Sequence, residues 1–299
     1  MAYRTKHLIE YAFLRAMVVM LALLPLRVAL VAGWLLAALT TPFSGKRLRE
    51  ARRRIREVMG PDVPESILKK WARASWRNLC FNVVEVARAG RRPVDEITRQ
   101  VDCPEINKLL DLRQREGGYV LAVSHMGNWD LAGFAVRQFG LPIFALARAQ
   151  SNPLVTRYLD RTRDRFRVEA MERGRSLGSV VKRIKAGGVF SILPDIRAKS
   201  RDASIRVPYL GREAFLTGGM ALFARLAGKP IVTVIVRREG WSRHVWEVQD
   251  PVYPDENIDR DEDILRMTTE VMARFDRAVR EYPDQYFWFN KRWVLDDRF

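Results

Sequence analysis

Apolar residues at the N-terminal end of the chain form a nearly continuous run rather than a periodic stripe. Residues 8–43 are mostly apolar, and Glu10, Arg15 and Arg27 interrupt them. The charge-free stretch after Arg27 is densely apolar only to about Leu39, which is shorter than the roughly 20 residues that a spanning helix needs. The run also lacks the short apolar region and small-residue cleavage site of a signal peptide. The pattern therefore predicts an apolar helical element that does not resemble an ordinary span or leader.

A basic cluster follows this apolar run: Lys46, Arg47, Arg49, Arg52, Arg53, Arg54 and Arg56. An apolar segment beside a polybasic cluster is typical of an anchor held on an anionic, cytoplasm-facing leaflet. We therefore expect residues 1–45 to be a membrane-associating helical segment. A buried helical hairpin of the core and one weakly inserted span are the alternatives, because hydrophobic periodicity alone does not separate them.

Farther along the chain, the pattern changes from helical periodicity to alternating strands and helices. A helix is predicted from about Glu65 to Ala89, and Gly90 and Pro93 end it. The later predictions are strands over 118–124, 142–147, 168–171, 189–193, 204–211, 231–236 and 244–248, and helices over 129–139, 153–165, 176–186, 217–227 and 261–282. Such alternation favours a mixed or mostly parallel sheet with helices on both faces. We expect residues 46–299 to form a single α/β domain.

Composition narrows the classes of partner. The 299 residues are 48% hydrophobic, enough for a sizeable core, and 29% are charged, which excludes a polytopic membrane protein. The formal net charge of +17 favours anionic partners such as phospholipid headgroups, nucleic acid or an acidic carrier protein. The two cysteines and three histidines form no metal-ligand pattern and no disulfide framework.

The candidate chemistry lies directly after the predicted strand 118–124. His125 comes at the strand's C-terminal end, where reactive groups gather in α/β sheets, and Asp130 begins the next helix. Across a turn containing Gly127, the carboxylate could hold one imidazole nitrogen while the other takes a proton from a hydroxyl. The H-x4-[DE] spacing alone is weak, and a helix N-terminal carboxylate beside a loop histidine is the alternative. His7 and His244 have no comparable setting.

These residues resemble a known family. His125-Met-Gly-Asn-Trp-Asp130 is similar to the H-x4-[DE] motif of glycerolipid-type acyltransferases, and the whole chain resembles the bacterial lipid A late acyltransferases of the lauroyl/myristoyl type. Further segments follow in the family's order: Arg148 with Asn152-Pro153-Leu154, Arg161-Thr-Arg-Asp-Arg165, Leu193-Pro-Asp195, Val207-Pro-Tyr-Leu-Gly211 with Thr217-Gly218, and Tyr282-Pro-Asp-Gln-Tyr-Phe-Trp288 through Arg292-Trp293. The chain departs from the family at Ile196-Arg197, where Gln or His is usual, and at Asn290, where the family has His.

The resemblance implies a glycerolipid acyltransferase-like mixed sheet flanked by helices, behind an N-terminal helical membrane anchor. It implies an O-acyltransferase that moves a fatty acyl chain from acyl carrier protein or coenzyme A to a hydroxyl of a membrane glycolipid resembling a lipid A precursor. The expected location is the cytoplasmic face of the bacterial inner membrane. The protein is expected to need no metal or tightly bound cofactor and to bind no nucleic acid. The alternatives are acylation of a lysophospholipid or another amphiphile, and a non-catalytic basic protein that binds membrane or nucleic acid.

The resemblance and charge together assign roles to further residues. Arg163 is expected to be catalytic, because a guanidinium stays protonated and can meet the negative charge that grows on the thioester carbonyl oxygen. A solvated helix charge is the alternative for it. The expected substrate-binding residues are Arg148, Asn152, Asp195, Arg197 and Thr217. Asp195 could orient the acceptor hydroxyl, pair with an arginine or be a turn aspartate, and Arg148 could hold a phosphate or form a surface salt bridge.

Overall fold

The computed structural model describes residues 3–41, 44–147, 149–172, 177–201 and 204–296. Most helices in these ranges are amphipathic, and each buries one face against a neighbouring layer. The helices are α1 (Thr5–Leu23), α2 (Leu26–Thr40), α3 (Gly45–Met59), α4 (Glu65–Ala89), α5 (Val94–Thr98), α6 (Ile106–Glu116), α7 (Trp129–Gln138), α8 (Pro153–Arg165), α9 (Leu177–Lys185), α10 (Gly219–Ala227) and α11 (Arg260–Glu281).

The strands are mostly short apolar runs between turn residues. They are β1 (Val101–Asp102), β2 (Tyr119–Val123), β3 (Ile143–Ala147), β4 (Glu169–Glu172), β5 (Val189–Ile192), β6 (Ile205–Tyr209), β7 (Arg212–Leu216), β8 (Ile231–Glu239) and β9 (Arg243–Val248). Seven of them form one sheet in the order β1-β9-β8-β2-β5-β3-β4, and β6 pairs with β7 in a separate antiparallel hairpin. Only the β8–β9 pair of the large sheet is antiparallel.

Helices cover both faces of the large sheet. In the central strand β2 all five residues are buried, and alternate side chains enter two different hydrophobic clusters. Val120 and Ala122 join the cluster that contains α10 and α11, whereas Leu121 and Val123 join the cluster that contains α6 and α7. A strand buried on both faces is typical of a parallel sheet between helical layers. The predicted α/β architecture with flanking helices is therefore confirmed.

The N-terminal helices α1 and α2 both pack on α4. Their inner residues, among them Val18 and Leu30, form a cluster with Phe81 and Val84 of α4. The outer face leaves large apolar side chains exposed: Leu8, Ile9, Phe13, Met20, Leu23, Val28, Val31, Trp34, Leu35, Leu36 and Leu39. We call this surface the apolar hairpin face. The element is thus neither a fully buried core hairpin nor a set of wholly exposed helices.

No single helix among the described residues is long and apolar enough to cross a membrane. By length and composition alone, α2 and α3 together could form a broken span, and the two helices are bent by 95° relative to each other. The membrane association of residues 1–45 stays a prediction.

A buried ionic cluster joins α4 to β8 and β9. The Arg238 guanidinium donates to both carboxylate oxygens of Glu85 at 2.6 and 2.7 Å, and His244 Nε2 lies 3.2 Å from Glu85 Oε2. Arg238 also donates to Asn82 Oδ1. All three charged or titratable side chains are essentially inaccessible to water. Burial alone would raise the pKa of Glu85, but the charges of Arg238 and His244 outweigh it and lower the pKa to about 2.

This cluster predicts a sensitive position on α4. Glu85→Ala should lower the free energy of unfolding by about 3–5 kcal/mol, because it leaves the Arg238 charge buried without its carboxylate partner. Val83→Ala, an exposed change on the same helix, is the matched control and should have little effect. Urea unfolding followed by circular dichroism measures both variants. Equal stabilities for the two variants would contradict the account.

The same cluster predicts a stability loss in acid. The pKa of Glu85 is lower in the folded chain than in the unfolded chain, so its contribution is fully present above pH about 4.5 and is lost as pH falls toward about 2. The free energy of unfolding measured from pH 6 to pH 2 should fall less steeply for Glu85→Gln, from an already lower starting value, than for the wild type. Parallel pH profiles would contradict this assignment.

Candidate active site

His125 lies in the turn that joins β2 to α7. Gly127 in this turn has a φ of +60°, and a Cβ there would lie 2.5 Å from the backbone oxygen of Val236. Only glycine fits this position, for both reasons. The Gly127 carbonyl accepts a hydrogen bond of 2.6 Å from Asn82 of α4. The turn is therefore held between β8 and α4.

Asn128 fixes the beginning of α7. Its side-chain oxygen accepts from the Leu131 amide at 3.1 Å, as an N-cap residue does. Its side-chain nitrogen donates to Glu85 at 2.7 Å, so the buried ionic cluster orients the cap. Trp129 and Asp130 then occupy the first turn of α7, where the helix dipole favours a carboxylate.

Asp195 is the hydrogen-bond partner of the His125 imidazole. His125 Nδ1 lies 2.7 Å from Asp195 Oδ1, and the His125 amide donates to Asp195 Oδ2 at 2.8 Å. Asp195 lies just beyond β5, which pairs in parallel with β2, so the two chains leave the sheet at the same edge. A carboxylate accepts hydrogen bonds and donates none, so this contact favours the imidazole tautomer with the proton on Nδ1. Both carboxylate oxygens thus hold His125.

The predicted partner of the His125 imidazole was Asp130, but the structure has Asp195 in that position. Asp130 lies in the first turn of α7, and its carboxylate lines a cavity shared with Arg163, whereas Nδ1 is engaged by Asp195. Asp130 instead raises the pKa of the imidazole through its negative charge. The prediction failed because spacing along the chain does not reveal which strand lies beside β2.

The two carboxylates set the protonation of the site. Burial lowers the pKa of His125, but the Asp195 charge, its hydrogen bond and the Asp130 charge together outweigh burial, and the net pKa is raised. Asp130 is accessible to solvent, yet the cavity walls around it raise its pKa, while Arg163 and His125 act in the opposite direction. The site therefore favours the imidazolium more than an isolated histidine does.

Trp129 and Asp130 line two cavities. One, of about 160 Å³, extends between α7 and the strands β3 and β4 and contains Arg163, whose guanidinium donates to Asp160 at 2.8 Å. The other, of about 230 Å³, lies between α1, α4 and α8 and has mostly apolar walls. The Trp129 ring also contacts the His125 ring, with centroids 5.0 Å apart. Trp129 therefore lies between both cavities and the imidazole.

The remaining predicted residues lie in different settings. Asn152 is buried, caps α8, and donates to the His7 carbonyl and to Glu10, so its amide is used in joining α8 to α1 rather than in facing a substrate. Arg197 pairs its backbone with Leu216 and Arg292. Thr217 precedes α10, which begins at Gly219 with Gly218 as N-cap, two residues later than predicted. Arg148 lies outside the described residues.

Several residues of the site were not identified from the sequence. Tyr286 pairs its backbone with Met126, and its buried phenol lies close enough to Asp195 for the two groups to interact electrostatically. Burial first, and then the neighbouring Tyr209 and Asp195, raise the pKa of Tyr286 well above its usual value, so the phenol stays protonated. The next amide, that of Phe287, donates to the His125 carbonyl at 2.9 Å. The aromatic motif near the C-terminus, which contains both residues, was identified only by its resemblance to the family. It was the one feature of the sequence that could have pointed to them.

Comparison with known proteins identifies the family of the chain. The sequence model described as bacterial lipid A biosynthesis acyltransferase matches residues 2–294. The chain belongs to this family. The protein is thus an acyltransferase, and the predicted resemblance is confirmed.

Two curated relatives agree with the assignment at low identity. The lipid A biosynthesis lauroyltransferase of Escherichia coli K12 is 24% identical over 260 residues, which cover 86% of this chain and 82% of the relative. The phosphatidylinositol mannoside acyltransferase of Mycolicibacterium smegmatis is 24% identical over 266 residues, which cover 83% and 80%. The similarity extends over most of each relative, and the family match over residues 2–294 includes both the hairpin and the sheet.

The geometry predicts an order for the effects of the two carboxylates on His125. Asp195→Asn removes a charge and an anionic acceptor, so the pKa of His125 should fall strongly. Asp130→Asn removes only a more distant charge, so the fall should be smaller. NMR titration of the His125 ring, in variants that keep the wild-type melting temperature, measures both shifts. A larger pKa shift for Asp130→Asn than for Asp195→Asn would support Asp130 as the carboxylate that orients His125, as predicted from the sequence.

Proposed function

We propose that the protein transfers a fatty acyl chain from an acyl thioester to a hydroxyl of a membrane glycolipid, with His125 as general base and Asp195 as the residue that orients it. The supporting observation is the two-point contact between Asp195 and His125. This contact leaves Nε2 without a hydrogen bond among the described residues. A base with one nitrogen fixed and the other free suits deprotonation of a hydroxyl.

The reaction needs no covalent enzyme intermediate. Nε2 takes the hydroxyl proton as the acceptor oxygen attacks the thioester carbonyl, which forms a C–O bond and places negative charge on the carbonyl oxygen. Collapse of this adduct breaks the C–S bond, and the imidazolium returns the proton to the leaving thiolate. The products are an ester and a free thiol. Asp195 stabilises the imidazolium throughout, and the protonated Tyr286 steadies the Asp195 carboxylate.

Arg163 and Asp130 complete the proposed site. Arg163 shares the smaller cavity with Asp130, and its positive charge could stabilise the developing oxyanion. Asp130 contributes negative charge that favours both the guanidinium and the imidazolium. The original pairing of His125 with Asp130 is thus replaced by a base with two acidic neighbours, of which Asp195 has the positioning role.

The two cavities beside Trp129 suit acyl chains. Their walls are predominantly aliphatic and aromatic, with Phe134 and Trp246 in one and Leu14 and Val86 in the other. Apolar walls with a few polar groups at one end are usual for ligands that combine a chain with a reactive head. The donor thioester would carry acyl carrier protein or coenzyme A. Lysophospholipids and other amphiphiles are the alternative acceptors.

We further propose that the apolar hairpin face lies on the cytoplasmic surface of a bacterial inner membrane. Eleven large apolar side chains exposed on two adjacent helices form more apolar surface than a monomeric soluble protein usually exposes. The basic residues of α3 follow immediately and would meet anionic headgroups. The cavity between α1, α4 and α8 includes Leu14 and Met17 of the hairpin, so a chain could pass from the membrane toward Asp130.

His125→Ala should reduce acyl transfer from labelled acyl thioesters to a panel of glycolipids and lysophospholipids by about 10²-fold or more, because the general base is lost. The matched control is His7→Ala, which removes a histidine side chain from α1. It should retain activity, because the contact of His7 with Asn152 is through the backbone carbonyl. Unchanged transfer by a folded His125→Ala protein would contradict the mechanism. Absence of transfer by the wild type across the panel would favour the non-catalytic alternative.

Replacing Phe13, Leu23 and Leu39 together by Ser should weaken binding to phosphatidylethanolamine/phosphatidylglycerol vesicles by at least about tenfold, because apolar surface no longer enters the lipid. The matched control replaces Leu177, Leu226 and Leu265 by Ser, which are exposed on α9, α10 and α11. Vesicle sedimentation measures both proteins. Equal binding by the two variants would show that the hairpin face does not contact lipid.

A further inference from the structure

The chain after α11 runs back along the turn that carries His125. We call residues 125–128 the His125 turn and residues 283–290 the C-terminal segment. The Gly127 amide donates to the Gln285 carbonyl at 3.2 Å, and the Phe287 amide donates to the His125 carbonyl at 2.9 Å. Between these two bonds, Met126 and the residue after Gln285 form an antiparallel bridge. The His125 turn therefore has a backbone partner from a distant part of the chain.

The side chain of Gln285 attaches the C-terminal segment to β8. Its oxygen accepts from the Arg238 amide at 2.6 Å, and its nitrogen donates to the Arg238 carbonyl at 2.9 Å. One primary amide thus pairs with both backbone groups of one residue, as a neighbouring strand would. The pairing of β2 with β8 ends at Val123 and Val234. The Gln285 amide therefore occupies the backbone of β8 beyond the point where β2 has left it.

Arg238 connects these contacts to the buried ionic cluster. Its guanidinium donates to Glu85 and to the oxygen of the Asn82 side chain. The nitrogen of Asn82 in turn donates to the Gly127 carbonyl at 2.6 Å. Gly127 is thus held at both of its backbone groups, by Asn82 and by Gln285, and both of these residues bind Arg238. Glycine has access to many backbone conformations, so these outside contacts help to hold Gly127 at its φ of +60°.

The C-terminal segment has further contacts that do not involve the Gln285 side chain. From α4, the Ser75 hydroxyl donates to the Tyr286 carbonyl at 2.6 Å. Asn78, one turn later on the same helix, donates to the Asp284 carbonyl at 3.1 Å. The segment is therefore held on α4 by its own backbone, and the Gln285 side chain adds the connection to β8. Loss of that side chain should loosen the His125 turn without releasing the segment.

We propose that Gln285 is a positioning residue for His125. Its amide holds the C-terminal segment on β8, and the backbone of the segment then holds the His125 turn in place opposite Asp195. The inference rests on the proposed acyl transfer and adds a residue that acts only through the backbone of the turn. A reacting group displaced by about 1 Å can lose about 10²-fold in rate, so a smaller displacement should cost about tenfold.

The test compares Gln285→Met with Gln138→Met in the full chain. Methionine is similar to glutamine in length but lacks the amide, so Gln285→Met leaves both backbone groups of Arg238 without this partner. Gln138 donates to the Phe166 carbonyl at 2.8 Å from the last turn of α7, so the control variant loses a comparable bond away from the His125 turn. Acyl transfer from labelled thioesters is measured with donor and acceptor varied separately. The kcat of Gln285→Met should fall about tenfold while both KM values stay within a few-fold of wild type, and Gln138→Met should match the wild type.

Two local measurements separate positioning from a general loss of structure. Hydrogen exchange of the Gly127 amide, followed by NMR, should become at least about tenfold faster in Gln285→Met, while the amides of β3 exchange as in the wild type. The pKa of His125 should fall toward its ordinary value, because the contact with Asp195 that raises it becomes looser. A residue that only stabilised the fold would speed exchange in β3 as well. Gln285→Glu keeps an acceptor for the Arg238 amide and removes the donor, so it is the milder second variant and should show the same pattern.

Three outcomes would overturn the proposal. The first is a folded Gln285→Met protein with the wild-type kcat. The second is a loss of kcat accompanied by faster exchange throughout the sheet, which would make Gln285 a general structural residue. The third is an equal loss of kcat in Gln138→Met.

Failure of the acyl transfer itself is distinguished by the two local measurements. If the wild type acylates no lipid, the proposed function fails, and Gly127 exchange and the His125 pKa still test the positioning. Faster exchange at Gly127 with a lower His125 pKa would then support Gln285 as the residue that holds the turn. Wild-type values for both in Gln285→Met would overturn this assignment as well.

Discussion

The parallel pairing of β2 with β5 is the constraint on which the site depends. It brings Tyr119 opposite Val189 and Ala122 opposite Ile192, so both strands end at the same edge of the sheet. His125 and Asp195 follow these ends and meet there, although they are 70 positions apart in the chain. The pairing is stable because β2 is buried on both faces, and a one-residue shift of register would exchange its side chains between the two hydrophobic clusters and disrupt the packing of both. The hydrophobic core thereby sets the geometry of a polar pair.

A second buried interaction supports the same turn from the other side. Glu85 holds Arg238 of β8 and also accepts from Asn128, which caps α7. A hydrogen-bonded ion pair removed from water is costly to disturb, so it restricts the turn more strongly than an exposed contact could. His125 is consequently positioned by elements on three sides: β5 through Asp195, α4 through the cap, and the C-terminal segment through Phe287.

The sequence predicted local features well and pairings poorly. Helices α4 and α8 have the predicted bounds, because proline, glycine and amphipathic periodicity are local signals. The partner of His125 could not be predicted in this way, since it depends on which strand lies beside β2. Glu85 resembled one more charge on an amphipathic helix, and His244 resembled an isolated histidine, because nothing in either neighbourhood of the chain records that the two side chains meet in the core. The family motif identified His125 but assigned its orienting carboxylate to Asp130.

The central claim is that Asp195 positions His125 for direct attack by a lipid hydroxyl, and the turnover number of Asp195→Asn tests it most directly. With acyl thioester and glycolipid both saturating, the account predicts that kcat falls by about 10²-fold or more while the donor KM stays within a few-fold of the wild-type value, since the substrate cavities are untouched. A folded Asp195→Asn protein that retains the wild-type kcat would contradict the account.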